Sequence, residues 1–511
     1  MIQRIYLSCF VIFCFCILLS CSDRKPNTSD GIITIDSSSQ NSITHKVTLP
    51  QAHIGDLEID TKLLDSYAPL PQNIRQFYLE ARSVFSLNPN ADFTDQLIIE
   101  SAHNNNLLLL GGPMLGNLNT NGLTIWLRPA TSEAILIKVK ETNRTEEKSF
   151  LTDSPEPGVE QRIKIDGLVA STQYNYSIYI DGNMIAEGSF KTAPSADQKG
   201  TFRLTFGSDF HKIGLHNPNL INSILSRNPQ AMMLLGDNAV DDRDNNINMH
   251  RSDYLLRDVS KPWRQLAANI PLYSCWDDHD YFNNDQAGIP EGFSTDDQQA
   301  LRKVWYQNWN NPEYEGNGIY FNTVIGPVEV IMLDTRSCRD NNRRGEYGSY
   351  LGMEELTWLK DKLQKSKAQF KLVSSGTMWS DYISNGKDSW GTWDTLAREQ
   401  VFKLIETEKI PGVIFLSGDR HGARGFTIPR SANFAFYEFE AGTLGGVPGP
   451  EGMAQDTTHQ LFGYDGTEVI AFGEFTFETN KQEPTITFRL IDENGKIIEE
   501  HILQYNKLIP N

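Results

Sequence analysis

Five apolar runs in this chain each break off into acids or histidines. They are Leu204-Thr205-Phe206 before Gly207-Ser208-Asp209-Phe210-His211, and Ala231 to Leu235 before Gly236-Asp237-Asn238. Then come Pro271 to Cys275 before Trp276-Asp277-Asp278-His279-Asp280, Val330 to Leu333 before Asp334, and Val413 to Leu416 before Ser417-Gly418-Asp419-Arg420-His421. A short continuous apolar run is the pattern of a strand buried on both faces of a sheet. In open α/β sheets ligands collect just beyond the carboxyl ends of such strands. One Gly-Asp is an ordinary turn, but the recurrence predicts an α/β core whose strand ends meet, with Asp237 in the middle of a metal cluster.

The length, 511 residues, fits two or three folded units better than one. A net charge of −19, with acids spread along the chain, argues against specific nucleic-acid binding, which needs basic patches. A small anionic substrate stays compatible with that charge, because bound divalent cations reverse the local field.

Residues 1–20 read as a targeting segment: Arg4 supplies the positive end, and Ile5 to Leu19 are too short and wrongly flanked to span a membrane stably. The segment ends Leu18-Leu19-Ser20-Cys21, which resembles the lipobox of bacterial lipoproteins. That resemblance implies cleavage before Cys21, lipidation of Cys21, and a body anchored in the cell envelope on its periplasmic or surface side. A plain secretory signal is the alternative. Beyond the signal, Cys275 and Cys338 remain, either as one disulfide or as free thiols near the site.

Ser22 to about Asn41 is polar and reads as a tether within an N-terminal extension, 21–105. In that extension, Asn73 to Phe85 has helical spacing of Ile74, Phe77, Tyr78, Ala81 and Val84/Phe85. Over 106–194 the texture turns to short alternating strands: Leu123–Leu127, Ala134–Val139, Gln161–Ile165, Tyr174–Ile180 and Ile185–Lys191. They predict a small β-sandwich. The stretch from Gly167 to Tyr176 resembles the turn and tyrosine pair of fibronectin-type sandwiches. Residues 200–511 alternate strands and helices (Asn219–Ser226, Leu301–Trp309, Met353–Lys365) and close with antiparallel strands at Glu468–Glu478, Thr485–Ile491 and Ile497–Gln504.

The residue types of the cluster suit two cations. Asp209-x-His211 can place a carboxylate and an imidazole on one ion, and Asp237 has two oxygens with which to bridge cations about 3.5–4 Å apart. Asp278-His279 and Asp419-x-His421 supply further ligands and an acid, although Asp277, Asp280 or Asn283 can also serve in place of Asp278. Oxygen plus imidazole ligation suits Mn, Zn, Fe or Ca. The Gly-rich stretch Gly442 to Gly449 lacks the Lys and helix of a P-loop and reads as a loop.

In order, Gly-Ser-Asp-Phe-His, Gly-Asp-Asn, Trp-Asp-Asp-His-Asp and Ser-Gly-Asp-Arg-His resemble the motifs of calcineurin-like metallophosphoesterases in their PhoD-like version. Leu333-Asp334-Thr335-Arg336 and Gly111-Gly112-Pro113-Met114-Leu115-Gly116 share the likeness, which covers about 107–505. It implies a two-sheet sandwich flanked by helices, two divalent cations and hydrolysis of a phosphate monoester or diester. Carried over by residue, Asp209 and His211 bind the first cation, Asp237 bridges, Asp278 binds the second, and His279 protonates the leaving oxygen. Asp419 replaces the first histidine of the superfamily's Gly-His-x-His and His421 is the second. Asn238 and Arg336 are expected on the phosphate. Purple-type relatives carry a Tyr three residues after the bridging Asp; here that position is Val240, so ferric iron is not expected. The competing reading is a catalytically inactive, metal-binding surface lipoprotein that binds a partner.

Overall fold

The structure, a computed structural model, describes residues 47–511 except positions 68, 241, 244, 245, 385 and 387. The signal segment, Cys21 and the polar tether therefore lie outside the described residues. No helix among those described is long and apolar enough to cross a membrane.

From residue 47 the extension is folded, as helices α1 (Leu49–Ile54), α2 (Leu57–Leu64), α3 (Gln72–Leu87) and α4 (Gln96–Asn104). The helical spacing read over 73–85 belongs to α3, which buries Phe77, Tyr78, Ala81 and Phe85 along one face. That face packs into a cluster with Met249, Leu255, Leu256 and Val259 from much later in the chain.

Two small antiparallel sheets follow. One orders β1 (Leu109–Asn119), β2 (Gly122–Pro129) and β5 (Gln161–Ile165); the other orders β4 (Glu147–Leu151), β3 (Ile135–Glu141), β6 (Gln173–Ile180) and β7 (Asn183–Lys191). They enclose alternate inward residues such as Ile135, Ile137, Tyr176 and Ile178. Tyr174 OH accepts from the Val169 amide at 3.0 Å, pinning the turn before its own strand. The sandwich is joined to the rest by buried hydrogen bonds. Tyr176 OH donates to the Ala268 carbonyl at 2.8 Å, and the Arg128 guanidinium donates to Asn308 and to the Gln307 carbonyl.

The remaining chain builds two larger sheets. The first runs β10 (Leu272–Cys275), β9 (Ala231–Leu235), β8 (Thr201–Gly207), β18 (Ala471–Glu478), β19 (Thr485–Asp492) and β20 (Ile497–Gln504). The second runs β11 (Phe321–Ile325), β12 (Val328–Met332), β13 (Phe370–Ser374), β14 (Val413–Ser417), β16 (Phe434–Ala441), β15 (Gly422–Ser431) and β17 (Gln460–Asp465). β8, β9 and β10 are parallel neighbours, as are β12, β13, β14 and β16. The C-terminal strands β18, β19 and β20 pair antiparallel in succession, and β18 also pairs antiparallel with β8 in the middle of the first sheet.

Aromatic side chains fill the space between the sheets. Phe439 stacks on Phe488 at 4.2 Å between ring centroids and meets Phe475 edge-on, and Phe370 packs on Phe477. Each fully buried Phe contributes roughly 1.5–3 kcal/mol of transfer free energy. Helices α5 (Pro218–Ser226), α6 (Ile247–Val259), α7 (Lys261–Ala267), α8 (Thr295–Asn308), α9 (Gly352–Lys365), α10 (Trp390–Trp393) and α11 (Thr395–Thr407) flank the sandwich. The two-sheet, helix-flanked architecture expected from the motifs is the one observed.

Candidate metal centre

Four of the five apolar runs end at one place. Asp209, His211, Asp237 and His421 bring ligand atoms within 4.8 Å of one another, and so do Asp237, Asp277, Asp278 and Asp419. Asp237 belongs to both groups, so its carboxylate stands between two ligand sets.

The loops after β8 and β9 are stitched by their backbones. The Asp209 amide donates to Gly236 O, His211 to Asp237 O, and Lys212 to Asn238 O, at 3.2, 2.9 and 3.1 Å. Asp209, His211, Asp237, Asp419 and His421 all have positive φ, between 39° and 71°. Non-glycine residues are uncommon in that region, Asp and His among those that enter it most readily, and such strained positions cluster at active sites. The Gly-rich stretch explains its composition here. A Cβ at Gly442 would run into Asp209 Oδ2 and one at Gly449 into the His421 side chain, so these glycines admit the ligands rather than cradle a phosphate.

The donor set fits divalent cations. Asp209 Oδ1, both Asp237 oxygens, Asp278 Oδ1 and Asp419 Oδ2 are buried without a hydrogen-bond partner. Buried polar atoms left unsatisfied are costly, and buried charges are ordinarily paired or bound to metal. Without cations, burial first and the neighbouring Asp278, Asp277 and Asp209 charges second push the Asp237 carboxyl well above its usual range. Burial and Asp277, Asp388 and Asp278 do the same to Asp419. His421 is prepared as a neutral ligand. Burial, with His211 next, lowers it to about 4, and its Nδ1 donates to the Pro448 carbonyl at 2.7 Å, leaving the Nε2 lone pair facing Asp209 and His211.

Geometry separates Asp277 from Asp278. Asp277 commits both oxygens to Arg336, at 2.8 and 2.6 Å, and also accepts from Thr335. Asp278 spends Oδ2 on the Asp285 amide and keeps Oδ1 without a hydrogen bond, in the posture of a ligand. For Asp278 burial pulls the pKa up, but Arg336 and His279 outweigh it and hold the carboxylate ionised. Asp280 instead accepts from the Asn238 amide.

His279 lies over this centre, with one ring nitrogen within 4.8 Å of ligand atoms of Asp237 and Asp278. Its Nδ1 is 2.6 Å from Asp242 Oδ1, a carboxylate that the sequence reading did not single out. Its only signal is a place five residues after Asp237, in the acid-rich sequence Asp241-Asp242-Arg243-Asp244. His53 of α1 was missed as well. A nitrogen of its ring groups with those of His211 and His279.

Arg336 and Asn238, expected on the phosphate, both make contacts within the fold. Arg336 is fully buried, and its Nη2 reaches Asp277, Asp388, Asp278 and Asp419 at 2.6, 2.9, 3.7 and 3.6 Å. Its charge is engaged by carboxylates, so it gathers the second ligand set, and only Nη1 is without a hydrogen bond for any role on phosphate. Asn238 likewise turns its side-chain amide to Ser274 at 3.4 Å, inside the fold. The fifth run does not reach the centre: Asp334 accepts from Trp276 Nε1, Ser337 Oγ and the Ile319 amide and builds a turn. Cys275 and Cys338 are free thiols, the first buried and the second exposed.

A two-sheet core whose parallel strands deliver a shared aspartate, paired carboxylates and imidazoles defines the metallophosphoesterase class. A family model described as PhoD-like phosphatase matches residues 230–486, about half of the chain, and the chain belongs to that family. Among curated proteins, alkaline phosphatase D of Bacillus subtilis (strain 168) is 26% identical over 191 residues, covering 30% of this chain and 32% of that protein. The chain thus spans about a third of the length of that relative. A solved structure of PhoD superimposes with a TM-score of 0.60 at 18% identity, covering 78% of this chain and 89% of that one. Purple acid phosphatase PPD1 from seeds of yellow lupin (Lupinus luteus) gives 0.56 at 13%, covering 78% and 75%. Both share the fold.

Proposed function

We propose that this protein is a metal-dependent hydrolase of phosphate esters, exported and anchored by lipid at Cys21. One observation carries the catalytic part: a buried aspartate, Asp237, common to two ligand sets and with neither oxygen hydrogen-bonded. Asp209, His211, Asp237 and His421 would hold one divalent cation, and Asp237, Asp278 and Asp419 the other. The second set is all oxygen, which favours Ca or Mn over Zn there. Such cations would lower the pKa of water toward about 7 and neutralise phosphoryl charge.

The protein's own groups do the rest. Asp242 fixes the His279 proton on Nδ1 and stabilises the ring when it is charged; His279 gives a proton from its other nitrogen to the leaving oxygen. Arg336 keeps the second carboxylates in place. The oriented His279–Asp242 pair supports an enzyme over a partner-binding protein with a retired site. Hydrolysis of nitrophenyl phosphate, abolished by chelator and restored by one added divalent metal, is the test. Failure of every metal to restore turnover in protein that binds the metal would refute the assignment.

A further inference from the structure

Helix α1 reaches the metal centre from the N-terminal extension. The His53 ring centroid is 4.6 Å from that of His279 and 5.8 Å from that of His211. Its Nδ1 is 3.6 Å from Asp242 Oδ2, the partner oxygen of the one that holds His279. One carboxylate therefore stands behind two imidazoles, and the ring nitrogens of His53, His211 and His279 come within 4.8 Å of one another. The His53 side chain keeps 24% of its exposure, which puts it at the mouth of the site and not in the core.

A buried charge network holds it there. The Ala52 carbonyl accepts from Lys212 Nζ at 2.9 Å, and the Gly55 carbonyl from Arg82 at 3.0 Å and from Arg243. Lys212 adjoins the ligand His211 and Arg243 adjoins Asp242, so α1 is tied to the loops that carry the site. Arg82 and Arg243 share Asp60, while Arg243 and Lys212 face Asp253. Three cations thus meet two carboxylates, and the surplus positive charge ends on carbonyls at the C-terminal end of α1, the negative pole of a helix. Gly55 permits this closure with φ 55°, and a Cβ there would collide with the Arg243 guanidinium.

We infer that His53 is a substrate-contacting residue, donating a hydrogen bond from its imidazole to an oxygen of the phosphate group beside His279, so that the N-terminal helix is part of the active site. The inference rests on the phosphate-ester reading above. A ring placed only for packing would need neither a shared carboxylate with the proton donor nor a clamp of three buried cations on its helix.

The test uses the whole metal-loaded chain and the variants His53→Ala and His53→Asn. Binding of inorganic phosphate, measured by calorimetry, should weaken about tenfold or more in His53→Ala, the loss expected for a hydrogen bond to a charged group. The KM for nitrophenyl phosphate should rise in parallel, His53→Asn should recover part of both, and bound metal per chain should stay the same. Unchanged phosphate affinity in either folded variant overturns the proposal, and so does loss of a cation, which would make His53 a ligand. Wild type that binds phosphate but hydrolyses no ester would sink the enzyme assignment while leaving the His53 contact readable. Wild type that binds no phosphate would sink both.

Discussion

Asp242 Oδ1 sits 2.6 Å from His279 Nδ1, and φ is positive both at Asp237, 53°, and at Asp242, 51°. The pair fixes which His279 nitrogen faces the centre. Replacing Asp242 with Asn keeps the shape and removes the charge that steadies a protonated ring. Turnover should fall about 10–100-fold, the usual cost of losing such a supporting partner. The loss should be larger for esters with poor leaving groups than for nitrophenyl phosphate. Equal losses across a leaving-group series would show that His279 does not supply the proton.

Asp237→Asn removes the charge that two ligand sets share. Bound metal should drop to roughly one per chain or below, with turnover at background. Metal analysis beside an activity assay checks both, and a variant that retains two cations would remove Asp237 from the bridge.

The dependence of stability on pH follows from the crowded carboxylates. Asp237 and Asp419 are raised by burial and neighbouring acids, and Asp277 is raised to about 6 by burial even against Arg336. A carboxyl raised in the folded state costs stability as pH climbs from its unfolded value, 3.8, through its folded value, because the unfolded chain ionises first. Cations offset that cost by pairing with the ionised forms. The gap in Tm between metal-loaded and chelated protein should therefore widen from pH 5 to pH 8. His421, lowered to about 4, stays neutral across that range and does not reverse the sign. A gap that is flat or narrows would contradict the cluster described.

Arg336→Met tests the counter-charge. Removing one partner of a buried ion pair leaves the other uncompensated and costs about 3–5 kcal/mol. Chemical denaturation of the chelated protein should show a loss of that size, and added cations should reduce it, since they take over part of the neutralisation.

Val240 lies fully buried at the position where the resemblance drawn from the sequence motifs would require a tyrosine to bind ferric iron. Protein reconstituted with ferric iron should show no strong visible absorption band, and appearance of one would require a tyrosinate ligand from elsewhere.

Much of the core was legible because strands buried on both faces have an unmistakable composition, and the residues that end them carry the chemistry. Ala231–Leu235 and Val413–Ser417 are of this kind, and Asp237 and Asp419 follow from them. Asp334 obeys the same pattern and yet makes a turn, since the pattern says where a strand stops and not which way its acid faces. Helix α6 escaped because it is buried on nearly every side, with Asp253, Arg257 and Asp258 inside, so no apolar stripe marks it. His53 escaped because a six-residue helix has too few turns for a period, and its place depends on Lys212, Arg82 and Arg243, all distant in sequence. Asp277 and Asp278 are adjacent, and only their partners in the fold, Arg336 and Thr335 for the first and the Asp285 amide for the second, distinguish them.

The pairing of Gly473 with Phe206 has a bearing on biogenesis. β8, which launches Asp209 and His211, has β9 on one flank and, on the other, β18 from far along the sequence. Until β18 has been made that flank stays open, and closing it is a non-local contact of the sort that slows folding. A truncation that removes β18, β19 and β20 would strip β8 of one of its two neighbours and disturb the candidate metal centre at its carboxyl end.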